Sequence, residues 1–235
     1  MKQTFREFRT FLSTASPLPV TLMVLSVVGM NLLANKSIDT GVSWLALDGG
    51  ILFSWLVFLS MDVLTHCYGP KNASMVSVTA LLLNLFMAFI FFLASRIPGV
   101  WGESFVKGSE QVINGALDRT FAGTWFILLG SSIAFLSSAL LNNYLNWAIG
   151  LLAKKGTGFG IFALRSYVST FLGQFADNLI FALLVSRTFF GWTLVQCFTC
   201  AVTGAVLELL CEVLFSPLGY RVSQRILSER KEAAA

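Results

Sequence analysis

Long apolar runs interrupted by carboxylates and amides constrain this chain more than any other feature of its sequence. A backbone placed in lipid finds no water, so such a run crosses a membrane as a helix whose hydrogen bonds close within itself. About 20 apolar residues cover the ~30 Å hydrocarbon core. Asp62 lies within Leu52–Tyr68. Gln174, Asp177 and Asn178 lie within Val168–Val185, and Glu208 and Glu212 within Cys197–Leu218. A carboxylate at membrane depth costs at least about 2.5–3.5 kcal/mol, so such groups turn toward a protein or water-lined interior and are paired or used. The expectation is an all-α polytopic membrane protein that moves a polar solute.

With 56% of residues hydrophobic and 12% charged, the chain falls well short of the roughly 25% charged residues of a soluble domain. The excess is spread evenly, which predicts a single integral membrane domain over 1–235 with six spans. Hydropathy and Pro/Gly punctuation place them at about 18–34, 42–66, 72–95, 121–153, 161–186 and 192–215. Tyr68-Gly69-Pro70 ends the second span and Ile97-Pro98-Gly99 the third. Pro217 and Gly219 end the last. The polar stretch Trp101–Arg119 reads as a surface or interfacial helix, Lys154–Gly160 as a glycine-rich loop, and Arg187–Gly191 as a tight turn.

Lys and Arg near span ends set topology. Ten of them (Lys2, Arg6, Arg9, Lys71, Lys154, Lys155, Arg221, Arg225, Arg230 and Lys231) fall on the side of the termini. Five (Lys36, Arg96, Lys107, Arg119 and Arg187) fall on the other. Both termini are therefore expected in the cytoplasm. The N-terminal segment is too polar for a signal peptide. Asp62 and Asp177 each occupy the middle span of a three-span half, an order that suggests two inverted halves. At 100° per residue, Arg165, Ser169, Gly173, Asp177, Thr170 and Gln174 fall on one face of the fifth span. Arg, Gln and Asp together ask for more than a packing seam.

Several blocks then resemble one family. Met61-Asp62-Val63-Leu64-Thr65-His66-Cys67-Tyr68-Gly69 is similar to the second-helix signature of the queuosine precursor transporters, the vitamin-uptake-like transporter family. So are Leu164-Arg165-Ser166-Tyr167-Val168-Ser169-Thr170, followed by Gly173-Gln174-Phe175-Ala176-Asp177-Asn178-Leu179-Ile180-Phe181, in the fifth helix, and Ser132-Ile133-Ala134-Phe135-Leu136-Ser137 in the fourth. Glu212 with Pro217, and Asn31, resemble positions of the last and first helices. His66 stands where the family has an acid, Asn142 where it has Asp, and Glu208 about where it often has Lys. The resemblance implies import of 7-cyano-7-deazaguanine or 7-aminomethyl-7-deazaguanine across the cytoplasmic (inner) membrane of a bacterium.

That ligand suits the residues. A guanine-like edge presents an N–H beside an amine, and a carboxylate accepts both in a bidentate pair. The expected contacts are Asp177 or Glu212 on the base edge, and Gln174 and Asn31 on the carbonyl or ring nitrogens, with Arg165 a further donor. Ser169 lines the same face, and Asp62 with Thr65 serves as a gate or second polar contact. A salt bridge from Asp62 to Arg165 is the competing structural role. His66, the one histidine, is placed to titrate or simply to be tolerated at a helix end. Glu208 and Glu212, at i,i+4, would repel if both were ionised, so one is protonated or paired with a base such as Arg221.

No cofactor or metal is called for. Cys197-x-x-Cys200 lies in an apolar helix without a second ligand pair, and no G-x-x-x-x-G-K-[ST] loop exists to drive transport by ATP hydrolysis. No basic-aromatic module indicates nucleic acid. The expected partners are the small deazaguanine and the lipid bilayer, and a homodimer is compatible with so large a lipid-facing surface. Two other classes compete with a secondary transporter. A substrate-binding component of a multi-subunit vitamin importer would show Ala-x-x-x-Ala docking motifs, absent from Leu18–Ala34. A membrane-embedded enzyme, such as a protease using Asp62 and Asp177, would need those two acids to face each other.

Overall fold

The computed structural model describes residues 2–101, 110–152 and 158–232. Two helices open the chain, α1 (Lys2–Thr14) and α2 (Pro17–Leu33), bent by 110° at the break between them. Pro17 and Pro19 permit this, because a first-turn proline gives up an N–H that the helix does not use. The N–H of Ser16 donates instead to the Tyr68 hydroxyl at 2.8 Å.

A small antiparallel ribbon follows, β1 (Ser37–Ile38) against β2 (Leu47–Asp48), with Ser37 opposite Asp48. The second span was expected from about residue 42; α3 instead occupies Ile51–Tyr68. Val42–Leu47 is apolar enough to pass for helix, but Gly41 takes φ 70 and the Asp39 carboxylate caps its N–H at 2.9 Å, which makes a turn there. The tip of the ribbon is held by α8, where Gln196 Nε2 donates to the Ser43 carbonyl and Thr199 Oγ1 to that of Trp44, at 3.0 and 2.7 Å.

From α3 the chain reverses at Gly69 (φ 83) into α4 (Pro70–Ala94). Next come α5 (Glu110–Leu152) and α6 (Phe159–Phe181). A π-helical turn, Ala182–Ser186, leads to the short α7 (Arg187–Phe189) and finally to α8 (Leu194–Glu232). Five stretches are long and apolar enough to cross a membrane, and the bent α1–α2 pair makes a sixth. Residues 110–119 of the expected interfacial stretch are the first turns of α5; residues 102–109 lie outside the described residues, as do 154–157 of the expected glycine loop.

The last span does not stop at Pro217 as its sequence suggests, but continues fifteen residues beyond, to Glu232. Proline lacks the N–H that would bond the carbonyl four residues back, here that of Val213. The Ser216 hydroxyl supplies the missing donor at 3.1 Å, and Tyr167 Oη lies 2.8 Å from the same hydroxyl oxygen.

The crossings alternate, so α1, the α3–α4 turn and the end of α8 share one face, here the terminal face. Arg230 marks it, donating to the Cys67 carbonyl and stacking its guanidinium 4.9 Å from the Tyr68 ring. The ribbon and α7 share the opposite, ribbon face. Apolar side chains divide between lipid and core: Leu82, Phe86 and Phe89 of α4 are exposed, whereas Met23, Val57, Phe58, Met61, Leu64 and Phe135 pack together inside. α3, α5, α6 and α8 also turn a polar set inward.

Candidate functional site

Two polar clusters lie one above the other inside the bundle, both built on α6. Its buried face carries Ser166, Ser169, Thr170, Gly173, Gln174 and Asp177, the side that 100° spacing assigns to them. Gly173 brings the helices close, since a Cβ there would stand 2.6 Å from Phe58 Cε1 and 3.1 Å from Asn142 Cβ.

The cluster nearer the terminal face centres on Asp62, which is fully buried. Its Oδ1 accepts from Asn142 Nδ2 at 2.8 Å, with the Ser169 hydroxyl at 3.3 Å. Its Oδ2 accepts from Thr170 Oγ1 at 3.1 Å and lies 2.5 Å from Ser166 Oγ. Ser166 Oγ also meets Glu212 Oε1, and Glu212 Oε2 has no partner. Thr65 donates to Asn143 Oδ1 at 3.0 Å. The competing salt bridge from Asp62 to Arg165 does not form. Arg165 donates to the Asn146 carbonyl at 3.0 Å, to Asn146 Oδ1 at 2.8 Å and to His66 Nδ1 at 3.0 Å. A guanidinium only donates, so His66 accepts at Nδ1 and is the neutral tautomer with its proton on Nε2.

The second cluster, toward the ribbon face, surrounds a cavity of about 30 Å³ lined by Asn31, Asp48, Ser54, Asp177, Asn178 and Glu208, with Phe181 at its wall. Asn31 donates to the Val27 carbonyl at 2.8 Å and accepts from Ser131. Asp177 accepts from Ser138 at 2.9 Å. Glu208 accepts from Ser54 and, at 3.2 Å, from Asn178 Nδ2. Asp48 accepts the Gly50 N–H at 2.8 Å, and burial pushes its carboxyl up to about 6. Room of this size holds one or two waters.

Gln174 stands between the clusters on α6, one turn from Thr170 and one from Asn178. It is fully buried, and neither its amide oxygen nor its nitrogen has a partner. An unpaired buried amide costs about 1–3 kcal/mol.

The candidate residues thus divide. Asn31 and Asp177 line the cavity, whereas Gln174 is not part of its lining and stands one turn of α6 from the lining residue Asn178. Asp62, Ser169 and Glu212 form the lower cluster, with Thr65 and Arg165 at its rim. Asp62 and Asp177 share no partner, unlike a facing catalytic pair. Sequence reasoning passed over Asn143, Asn146, Ser54, Ser131, Ser138 and Asp48. The run Asn142-Asn143-Tyr144-Leu145-Asn146 inside an apolar helix was the available signal for the amides. Asp48 was concealed by reading the ribbon as helix. Cys197 and Cys200 are free thiols in the helix interface, Cys197 donating to the Ala182 carbonyl at 3.4 Å.

Neither a curated protein nor a solved structure matches this chain. A profile of the family described as "putative vitamin uptake transporter" matches residues 48–222. That stretch opens at Asp48 of the cavity wall and runs past Glu212 and Pro217, enclosing both clusters apart from Asn31. Five or six apolar crossings, a polar interior and this match over most of its length place the chain in the family of vitamin-uptake-type membrane transporters.

Proposed function

We propose that this chain is a secondary transporter that imports a queuosine precursor, 7-cyano-7-deazaguanine or its 7-aminomethyl relative, across the cytoplasmic membrane of a bacterium, with both termini inside. The observation that carries the reading is the buried, unpaired amide of Gln174, one turn of α6 from Asn178 on the wall of a small cavity that also offers a carboxylate and an aromatic ring. Asp177 accepts the ring N–H and exocyclic amine in a bidentate pair. Gln174 and Asn31 meet the carbonyl and ring nitrogens. Phe181 offers a face for the flat bicycle. A cavity of about 30 Å³ is too small for a bicyclic base, so loading requires the helices to part, as alternating access around a midplane site provides. Asp62 and Thr65, away from the cavity, act in the gate, and the ten-to-five bias of basic residues supports the orientation.

The test is rescue of a bacterial strain that neither makes queuosine precursors nor has its own importer. Fed nanomolar 7-cyano-7-deazaguanine, cells carrying the parent chain regain queuosine in tRNA. Cells carrying Asp177→Asn, inserted at equal level, lose at least about tenfold of the uptake, the worth of one charge-assisted contact. No queuosine with a well-inserted parent chain overturns the substrate and leaves another vitamin-like solute for the family's transport role.

A further inference from the structure

Ser166 has one hydroxyl hydrogen and two acid neighbours. Its Oγ lies 2.5 Å from Asp62 Oδ2 and also meets Glu212 Oε1. A hydroxyl donates once. The second contact therefore holds only if one carboxyl donates back, and for that it must carry a proton.

The remaining partners say which acid carries it. Asp62 accepts from Asn142 on one oxygen and from Thr170 on the other, with Ser169 in reach, the surroundings of a carboxylate. Glu212 has Ser166 alone, and its Oε2 is fully buried without a partner. A neutral acid tolerates that bare oxygen, whereas a carboxylate there would leave half its charge unsolvated.

The charged and titratable groups of the surrounding helices support the same assignment. α3 brings Asp62, His66 and Cys67; α6 brings Arg165, Tyr167 and Asp177; α8 brings Glu208, Cys211 and Arg230, the last bonded to the Cys67 carbonyl. From α5 come only amides, Asn142, Asn143 and Asn146. Arg165 gives three of its five N–H donors to Asn146 and neutral His66 and none to a carboxylate, and Tyr167 bonds Ser216. The single positive charge of Arg165 offsets at most one carboxylate of the Asp62–Glu212 pair, and the donors around Asp62 make that one Asp62.

We propose that Asp62, Ser166 and Glu212 form a binding site for one exchangeable proton, and that this proton is the ion coupled to import. The coupling role rests on the import reading above; the proton site does not. In the internal transfer, Glu212 Oε1–H passes its proton to Ser166 Oγ while Ser166 passes its own hydrogen to Asp62 Oδ2. Glu212 becomes the carboxylate, Asp62 the neutral acid, and the charge of the trio is unchanged. Loss of the proton to water leaves two buried carboxylates against one guanidinium, which favours reloading before the next cycle.

Two arms of one experiment, on purified full-length protein in proteoliposomes, test this. Infrared difference spectra at pH 7 of parent minus Glu212→Gln are expected to show a buried carboxylic acid carbonyl band, shifted in frequency by Ser166→Ala. A carboxylate band in its place overturns the site. In the transport arm, an inward gradient of about one pH unit supports up to about tenfold accumulation of 7-cyano-7-deazaguanine for one proton per solute. Glu212→Gln is expected to lose the response to the gradient while keeping a larger share of base-for-base exchange, and Ser166→Ala to blunt the response. Parent-like response to the gradient in both variants overturns the coupling. If the parent moves neither deazaguanine, the import reading and the coupling role fall together, and the infrared arm still decides the proton site.

Discussion

Neutral donors carry most of the electrostatic work among these residues. Asp62 is held by amide and hydroxyl groups, Asp177 by Ser138 and Glu208 by Ser54 and Asn178. Asp48, outside the spans, has a measurable consequence. Burial raises its carboxyl from 3.8 to about 6. Between those values the folded form holds a proton that the unfolded chain has released, so this group's contribution to stability falls as pH rises from about 4 to about 6. Asp48→Asn keeps the acceptor for the Gly50 N–H and removes the titration. The parent's melting temperature in detergent should therefore drop more steeply across that window than the variant's, leaving the variant the more stable at pH 7. Equal slopes would show that Asp48 is ionised throughout. The polar face of α6 was legible in the sequence because one helix carries it, and helical period alone puts Ser169, Gln174 and Asp177 together. The contacts of Asp62 were not legible, since its donors come from α5 and α6, at least 80 residues away in the chain.

At the scale of elements, the expected spans overlap α2, α3, α4, α5, α6 and α8 but miss three ends: α3 starts later, at Ile51, α5 starts earlier, at Glu110, and α8 runs on to Glu232; the first and the last of these have a local reason. Val42–Leu47 is apolar but sits behind a left-handed Gly41, and window hydropathy does not register a turn. Pro217 is a fair stop signal, overridden because Ser216 bonds the Val213 carbonyl. This compensation predicts a coupled pair. Ser216→Ala alone should cost about 0.5–1.5 kcal/mol by removing one hydrogen bond to the Val213 carbonyl. In a Pro217→Ala background it should cost much less, because the restored N–H takes over, and thermal melts of the four proteins give the coupling directly. Equal costs in the two backgrounds would leave Tyr167 as the reason for Ser216. Gly173→Ala would push its Cβ against Phe58 and Asn142. Overpacking of this kind costs about 1–3 kcal/mol, and here it also displaces a donor to Asp62, so uptake should fall further than stability.

For the whole molecule, counting the bent α1–α2 pair as a crossing puts the ribbon on one side of the membrane and both described ends on the other. A cysteine at Thr40 should react with an impermeant maleimide in intact cells, while one at Ser228 should react only after permeabilisation. The reverse pattern would invert the orientation proposed above. α3 and α8 are fastened to each other at two well-separated points, Ser54 to Glu208 near the ribbon and Cys67 to Arg230 at the opposite end. A plank nailed at both ends neither swivels nor slides against its neighbour. The two helices should therefore travel as one body during turnover, and an engineered disulfide between α3 and α8 should leave transport intact.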